Sequence, residues 1–320
     1  DNNSNTSDNL SVSSFTIDTT PPTLVQTTVV PSFTNDNTTQ YTFSSTEGGT
    51  IRIGGSCSSD NNTAVADNMT VSFAALADGT YSDCTITVTD SAGNTQTISV
   101  NTFTIDTVKP VLAQVIAVTT PTNDNTSSYT FSSTEAGNIT YGVCSGSPNN
   151  ASADNNTITF DALTDGTYSD CKISVTDNAS NTSDNLSVSS FTIDTVKPVL
   201  AQVTAVTTPT KDPTPGYAFS SDEAGTISYG GCSPGGTSAD NGTNSISFGT
   251  LSDASYSCTI TVTDSAGNAS TALSVNTFVV DATAPTVNSV VITSATGIQN
   301  SLLNAGDNVS VTATFSEAVI

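Results

Sequence analysis

Hydrophobic and polar residues alternate along most of the chain with a period of two. In Cys84–Thr89 the even-numbered positions are apolar or cysteine and the odd-numbered positions are threonine, as in a strand with one buried face. Turn-forming pairs such as Asp78-Gly79 separate these segments, and no segment has the period of a helix. The pattern predicts an antiparallel sandwich of short strands in two sheets. The residues predicted to be buried are Tyr41, Phe43, Ile86, Val88, Val100 and Phe103 with their later equivalents, and those predicted to face solvent are Thr85, Thr87 and Thr89.

The apolar positions shift by one residue near the end of this pattern. They fall at Ile98 and Val100 and then at Phe103 and Ile105, and the same shift recurs in the later copies of the pattern. A shift that keeps both groups buried predicts a β-bulge in the last strand, near Asn101-Thr102.

The pattern itself repeats along the chain. The tetrad Phe-Thr-Ile-Asp stands at 15–18, 103–106 and 191–194, which is a period of 88 residues, and a variant follows 87 residues later at 278–281. Residues 5–19 reappear letter for letter at 181–195. A period of this length suits one small self-contained domain per repeat rather than one turn of a solenoid.

The charge of the chain is one-sided, with 29 Asp and Glu against 5 Lys and Arg and a net charge of -24. Five cationic side chains are too few to neutralise a phosphate backbone, so nucleic-acid binding is excluded. The chain has no His, the commonest general base and metal ligand. Carboxylates alone define no reaction, so we expect no enzyme. No apolar run approaches the ~20 residues of a membrane span, and no membrane insertion is expected in this segment.

Motifs around the cysteines and turns carry a family resemblance. A Tyr shortly precedes a Cys in each repeat, as in Tyr81 and Cys84. The motif at 89–94 (TDSAGN), which is followed by an Ile-Asp-Thr-x-x-Pro junction at 105–110, returns at 263–268. The Tyr resembles the tyrosine corner of Ig sandwiches. Together these motifs resemble the bacterial Ig-like domain repeats of large extracellular surface proteins and adhesins. The resemblance implies an all-β chain of tandem Ig-like antiparallel β-sandwich domains arranged head to tail.

The resemblance and the period together predict the domain boundaries. Residues 1–18 correspond to the last strand of a preceding repeat, and 282–320 to the incomplete start of a further Ig-like domain of another subtype. We favour a segment of a longer protein over donor-strand exchange between subunits, because donor and incomplete acceptor belong to different subtypes. The three complete Ig-like repeats are predicted at 19–106, 107–194 and 195–281.

The six cysteines fall two in each repeat. In an Ig-like trace the first ends the third strand and the second opens the neighbouring sixth strand, which implies one disulfide per repeat; free buried thiols are the alternative. Each bridge would stabilise its repeat by ~3 kcal/mol and indicates an oxidising compartment. The implied pairs are Cys57–Cys84, Cys144–Cys171 and Cys232–Cys258.

Acidic residues also recur at fixed positions. The Ig topology places the turn after the second strand, the loop after the sixth strand and the preceding junction at one pole of the domain. Three carboxylates there suit a hard cation such as Ca²⁺, which is the only cofactor predicted; the alternative is that they cap turns and add soluble charge. The sets are Asp18, Glu47 and Asp90; Asp106, Glu135 and Asp177; and Asp194, Glu223 and Asp264.

These observations favour the structural repeat region of a large secreted or cell-surface protein, a stalk or spacer that presents an adhesive or binding tip. The alternative is a self-associating subunit of an extracellular fibre or matrix. The expected partners are the neighbouring repeats of the same chain and a tip ligand that the sequence does not identify. Self-association is the further partner class that stays open. The expected location is extracellular, at the cell surface.

Overall fold

The computed structural model describes residues 2–232, 235–296 and 302–319. Over these ranges the chain forms strands and no helix, and so these residues include no helix that could cross a membrane. Internal contacts divide it into unit 1 (residues 1–119, 126–163 and 167–191) and unit 2 (120–125, 164–166 and 192–320). The repeat boundaries given above stay a prediction. First, second and third repeat are names below for residues 19–106, 107–194 and 195–281.

The alternating segments of the first repeat form ten short strands in three sheets. The sheets have the orders β1-β3-β6, β2-β10-β7 and β5-β4-β8-β9. Their bounds are β1 (Leu24–Thr28), β2 (Phe33–Thr34), β3 (Gln40–Ser45), β4 (Gly49–Gly54), β5 (Thr63–Ala64), β6 (Asp67–Ser72), β7 (Gly79–Tyr81), β8 (Thr85–Thr89), β9 (Thr95–Ser99) and β10 (Phe103–Ile105).

The second repeat contributes ten further strands. Within unit 1 they form the sheets β11-β12-β16-β14 and β15-β13-β18-β19. Their bounds are β11 (Leu112–Ile116), β12 (Ser128–Ser133), β13 (Gly137–Tyr141), β14 (Gly146–Ser147), β15 (Asn150–Ala151), β16 (Asp154–Phe160), β17 (Gly166–Tyr168), β18 (Lys172–Thr176), β19 (Leu186–Ser187) and β20 (Phe191–Ile193).

In unit 2 the third repeat forms the sheets β21-β22-β25, β24-β23-β27-β28 and β26-β29, and the last two strands form a separate antiparallel pair. The bounds are β21 (Leu200–Thr204), β22 (Gly216–Ser221), β23 (Gly225–Gly230), β24 (Ser238–Ala239), β25 (Gly242–Ser247), β26 (Ala254–Tyr256), β27 (Thr259–Thr263), β28 (Leu273–Ser274), β29 (Phe278–Val280), β30 (Val287–Ala295) and β31 (Val309–Phe315).

The predicted all-β sandwich and its register are confirmed. Ile86 of β8 pairs with Ile53 of β4 and Ile98 of β9, and its side chain is buried in the core. The next residue, Thr87, is half-buried on the outer face, where its hydroxyl lies 2.8 Å from that of Thr97. The whole predicted set is buried: Tyr41, Phe43, Ile86, Val88, Val100 and Phe103.

The predicted bulge near Asn101-Thr102 is wrong. The chain crosses there from one sheet to the other, because β9 pairs with β8 whereas β10 pairs antiparallel with β7 and parallel with the short β2. Asn101 holds the crossing: its Oδ1 accepts the N–H of Val30 at 3.1 Å and its Nδ2 donates to the Val30 carbonyl at 2.8 Å. A change of sheet reverses the side chain that points inward, which produces the observed shift of phase.

The tyrosines before Cys84 and Cys258 behave as in a tyrosine corner. The hydroxyl of Tyr81 donates to the carbonyl of Ala77 at 2.9 Å, and that of Tyr256 donates to Ser252 at 3.0 Å. The ring of Tyr81 stacks on buried Phe103 with 5.3 Å between centroids. These contacts fix the turn from β7 into β8 through both a hydrogen bond and a packed ring.

One disulfide closes each repeat. Cys57 follows β4 and Cys84 precedes β8, which are neighbouring strands, and their Cα atoms lie 5.4 Å apart. Beside this bridge, Asp83 accepts the backbone N–H and the hydroxyl of Ser56 at 3.2 and 2.9 Å. Those two hydrogen bonds lower the pKa of Asp83. The other bridges are Cys144–Cys171 and Cys232–Cys258, with Cα separations of 5.3 and 5.5 Å.

Removing a bridge should destabilise its repeat through the unfolded chain. We expect Cys57→Ala/Cys84→Ala to lower the free energy of unfolding by about 3 kcal/mol, the chain-entropy value for a loop of this length. Urea unfolding measures the change, and Cys144→Ala/Cys171→Ala is the matched variant with an equal expected cost. Peptide mapping without reductant that found free thiols, or links between repeats, would contradict the pairing.

Candidate metal centre

Each junction aspartate meets two further carboxylates in the structure. One comes from the turn after the second long strand of the next repeat, and the other from the loop after its central core strand. Within each set, one oxygen of every carboxylate lies within 4.8 Å of the others. The structure thus groups the residues that the sequence grouped: Asp18, Glu47 and Asp90; Asp106, Glu135 and Asp177; and Asp194, Glu223 and Asp264.

Local hydrogen bonds fix the backbone conformation around Asp106 and Glu135, which are the first two carboxylates of the second set. Asp106 directly follows β10, and its Oδ1 accepts the N–H of Val108 at 3.1 Å in an Asx turn. Glu135 lies between β12 and β13, where the hydroxyl of Ser133 donates to the Glu135 carbonyl at 2.6 Å. The equivalents Ser45 and Ser221 are bonded in the same way. Short polar turns therefore present these carboxylates at the pole of the sandwich.

The third member is held more tightly, by its own loop. Asp177 follows β18 and is buried, and its Oδ1 accepts the backbone N–H groups of Ala179 and Asn181 at 2.8 and 2.9 Å. Its Oδ2 accepts the side-chain amide of Asn181 at 2.9 Å. The same three bonds, all 2.8–2.9 Å, recur at Asp90 with Asn94 and at Asp264 with Asn268.

The asparagine of this loop also binds the junction aspartate through its backbone. Asn181 Nδ2 donates to the backbone carbonyl of Asp106 at 2.7 Å, and Asn268 Nδ2 donates to that of Asp194 at 2.8 Å. Asn94 makes the equivalent bond to Asp18 at 3.2 Å. One amide therefore ties the loop carboxylate of one repeat to the chain that enters it.

A second aspartate anchors the link from the other side. In unit 1, Asp78 accepts the backbone N–H of Thr107 at 3.2 Å and its hydroxyl at 3.0 Å. In unit 2, Asp165 accepts the same two groups of Thr195 at 3.0 and 2.8 Å. Asp253 accepts the N–H of Ala282 at 2.8 Å and the hydroxyl of Thr283.

The carboxylates of a set oppose one another electrostatically. Burial, followed by the charges of Asp106 and Asp177, raises the pKa of Glu135. Burial and the charges of Asp194 and Asp264 likewise raise the pKa of Glu223. Ionising the glutamate in a folded repeat therefore costs free energy.

The pKa values of Asp90 and Asp264 shift the other way. The side-chain amide of Asn94 is the main cause that lowers the pKa of Asp90. At Asp264 burial opposes the shift, but the hydrogen bonds from Asn268, Gly267 and Ala266 together lower the pKa. The pole of the third repeat therefore holds an aspartate whose ionisation is favoured, Asp264, beside a glutamate whose ionisation is disfavoured, Glu223.

The donor set fits a hard divalent cation. All the side-chain ligands are carboxylate oxygens, the type that Ca²⁺ prefers, and Ca²⁺ tolerates irregular geometry with six to eight oxygens. A divalent charge would also offset the repulsion that raises the pKa of Glu135 and Glu223. The sites differ from a zinc centre, which takes nitrogen or sulfur ligands in a closed tetrahedron.

Sequence reasoning missed the two anchors of the junction. Asn181 stands four residues after Asp177, as Asn94 and Asn268 do after their aspartates, so a fixed Asp-x-x-x-Asn spacing was visible. Asp78 was interpreted only as part of an Asp-Gly turn. Its partner Thr107 lies 29 residues away, and no local pattern indicates that contact.

Loss of the loop asparagine should destabilise the repeat. In Asn181→Ala, the buried Asp177 carboxylate and the Asp106 carbonyl each lose a donor, which should lower the free energy of unfolding by about 1.5–3 kcal/mol. Asn178→Ala is the control, because Asn178 lies exposed in the same loop. Equal urea midpoints for the two variants would contradict the anchoring role.

The anchor at Asp253 should make stability depend on pH. The hydroxyl of Thr283, and then the N–H of Ala282, lower the pKa of Asp253 in the folded chain. This stabilisation is present above the unfolded pKa and is lost as the pH falls through the lower folded value, below about pH 4. Between pH 5 and pH 3 the wild type should therefore lose more stability in urea than Thr283→Val does. Thr283→Ser keeps the hydroxyl and should match the wild type; a loss equal to that of Thr283→Val would contradict the anchor.

Comparison with known proteins finds a family match for part of the chain. Residues 27–107 match the family model of the bacterial Ig-like domain. No curated protein matches the chain. Among solved structures, the fibronectin(III)-like modules of Clostridium thermocellum CbhA are similar at 10% identity and a TM-score of 0.34, over 53% of this chain and 94% of that one.

A second solved structure is the native conformation of E. coli alpha-2-macroglobulin, at 11% identity and a TM-score of 0.19 over 81% of this chain and 23% of that one. The family match covers most of the first repeat, and the two segments that follow repeat its motifs. The resemblance predicted from the sequence is thereby confirmed for residues 27–107, which match the bacterial Ig-like domain.

Proposed function

We propose that this chain is the structural repeat region of a large secreted or cell-surface protein, a spacer that presents an adhesive or binding tip. One observation carries the proposal. At three junctions an asparagine amide of the entering repeat donates to the backbone carbonyl of the junction aspartate, which is Asp18, Asp106 or Asp194. A connection that is built three times in the same way is a structural element of the array.

A spacer transmits distance only if its links resist bending. At the link after β10 the Asp106 carbonyl and the N–H groups of Thr107 and Val108 are all hydrogen-bonded. Pro110 follows, which fixes its own φ and biases Lys109 towards extended geometry. Few backbone torsions of this link are free, and this restraint supports the spacer role.

The proposed location rests on the cysteines. All six are paired in disulfides within their own repeats. Disulfides persist in secreted and surface proteins and are rare in reducing compartments. We propose attachment at a cell surface, where a spacer can present a binding tip.

We also propose that Ca²⁺ occupies the three carboxylate sets. Each set offers oxygen ligands from two sides of a junction, so a cation there would bind the end of one repeat to the pole of the next. Extracellular Ca²⁺ modules work at about 10⁻⁴–10⁻³ M. Bound Ca²⁺ would then make the junction stiffest in the extracellular setting that is proposed for the chain.

Calcium should stabilise the chain through the glutamates. For the wild type we expect millimolar Ca²⁺ to raise the melting temperature, with about 1.4 kcal/mol per site at ten times Kd. The triple variant Glu47→Gln/Glu135→Gln/Glu223→Gln should melt higher than the wild type in chelator, because the repulsion is reduced, and should gain little from Ca²⁺. Calorimetry in chelator and in Ca²⁺ measures both effects.

The matched control removes the same charge elsewhere. Asp60→Asn/Asp170→Asn/Asp240→Asn changes three exposed carboxylates outside the sets and should keep the full response to Ca²⁺. Small-angle scattering of the wild type should show a maximum dimension that holds or grows with Ca²⁺. If chelator changes neither melting nor dimension, the carboxylates act as turn caps and the links depend on hydrogen bonds and proline alone.

A further inference from the structure

The three disulfides differ in how well the protein covers them. Five of the six cysteines are buried, at 5% exposure or less: Cys57, Cys84, Cys144, Cys171 and Cys258. Cys232 is only partly buried against the core of the third repeat. It lines an open depression of the surface whose other walls include Gly231, Thr250 and Tyr256. The third bridge can therefore be approached from solvent on the side of Cys232.

The residue before Cys232 adds no cover. Gly231 stands there, where the first repeat has Ser56 and the second has Val143. The φ of Gly231 is +77°, and a Cβ at this position would lie 2.5 Å from the carbonyl oxygen of Ser257. This close approach of two backbone segments requires a glycine. No side chain can therefore shield the bridge from this position.

The third repeat also lacks the acidic residue that adjoins the other two bridges. An aspartate directly precedes the second cysteine in the first and second repeats, at Asp83 and Asp170, whereas the third repeat has Ser257 there. Hydrogen bonds from Ser56 lower the pKa of Asp83, which favours its ionised form. An attacking thiolate is an anion, and a carboxylate beside a bridge repels it. The residue before Cys258 exerts no such repulsion.

We propose that the Cys232–Cys258 bridge is a thiol-exchange site, which low-molecular-weight thiols open in the folded chain while the other two bridges stay closed. The incoming thiolate forms a bond to Sγ of Cys232, and the bond between the two cysteine sulfurs breaks. Sγ of Cys258 leaves with the electron pair and takes a proton from water. A second thiolate attacks the sulfur of the bound thiol and releases Cys232 as a thiolate. Two thiols are thereby oxidised to one disulfide, and both cysteines are reduced.

The burial of the two sulfurs determines the direction of attack. Displacement at sulfur needs access to the attacked atom, on the side away from the bond that breaks. Cys258 is 1% exposed, whereas Cys232 lines the surface depression. The cysteine that would leave is buried in every repeat, because Cys84 and Cys171 are 2% and 1% exposed. The three bridges therefore differ on the attacked side and not in the leaving sulfur.

Opening this bridge would loosen one repeat. Cys232 follows β23 and Cys258 precedes β27, and these two strands pair antiparallel. Without the bridge the unfolded chain regains its freedom, so the stability of the third repeat falls. External thiols would thus control the stability of the third repeat separately from the first two. This property is independent of the spacer role.

The test follows all three bridges of the oxidised full chain in glutathione. Samples are quenched with an alkylating agent at intervals, and peptide mapping by mass spectrometry gives the opened fraction of each bridge. We expect the third bridge to open at least about ten times faster than the other two, with the first glutathione adduct on Cys232. Equal rates, faster opening of another bridge, or a first adduct on Cys258 overturns the proposal.

Urea separates attack on the folded chain from exchange through unfolding. Concentrations below the unfolding transition raise the small unfolded population, and so they accelerate only exchange that passes through it. The rate at which glutathione opens the third bridge should stay constant over this range. A rate that rises with urea in proportion to the unfolded fraction overturns the proposal.

Two variants test charge and access separately. Ser257→Asp restores the carboxylate and should slow glutathione, which is negatively charged, more than cysteamine, which carries an amine. Ser257→Asn is the uncharged control of similar size and should react as the wild type. Thr250→Trp fills the depression and should slow both thiols alike. Unchanged rates in both Ser257→Asp and Thr250→Trp overturn the proposal.

Discussion

The hydrogen bonds between the loop aspartate and the asparagine four residues later organise each pole of the array. In the second repeat the Asp177 carboxylate closes the loop through Ala179 and Asn181, and the same Asn181 amide holds the Asp106 carbonyl. One side-chain pair thus determines the shape of the loop, the position of the entering chain and the placement of the carboxylates. An asparagine suits the role because its two amide hydrogens can serve two acceptors at once.

This arrangement concentrates negative charge where the chain passes from one repeat to the next. The hydrogen bonds from their loops lower the pKa of Asp90 and Asp264, whereas burial and then the neighbouring charges raise the pKa of Glu135 and Glu223. A pole of this kind is electrostatically unfavourable without a counter-charge, although its backbone is restrained by hydrogen bonds. The same pole can therefore connect two repeats through its hydrogen bonds alone, or it can respond to a divalent cation.

Much of the fold follows from the period of the side chains. Ile86 and Val88 are buried and Thr87 lies outside, as alternation requires, and the Ig topology alone was enough to bring Asp106, Glu135 and Asp177 together. The sheet crossing at Asn101 was mistaken for a bulge, because both events reverse the inward-facing side of the strand. The contacts of Asn181 and Asp78 depend on side-chain direction across sequence separations of 75 and 29 residues, which a one-dimensional pattern does not contain.

Near-identical repeats create a problem of pairing, since a last strand that fits one cleft can fit another. In this chain one position distinguishes the repeats. Asn101 and Asn276 bind the backbone of Val30 and Val206, just after the first strand of their own repeats, through both amide atoms, whereas Ser189 donates to Gln114. A last strand with serine in place of either asparagine would leave two backbone groups without partners. Because unsatisfied buried polar groups cost more than a good hydrogen bond gains, this single side chain disfavours the last strand of the second repeat in the first and third repeats.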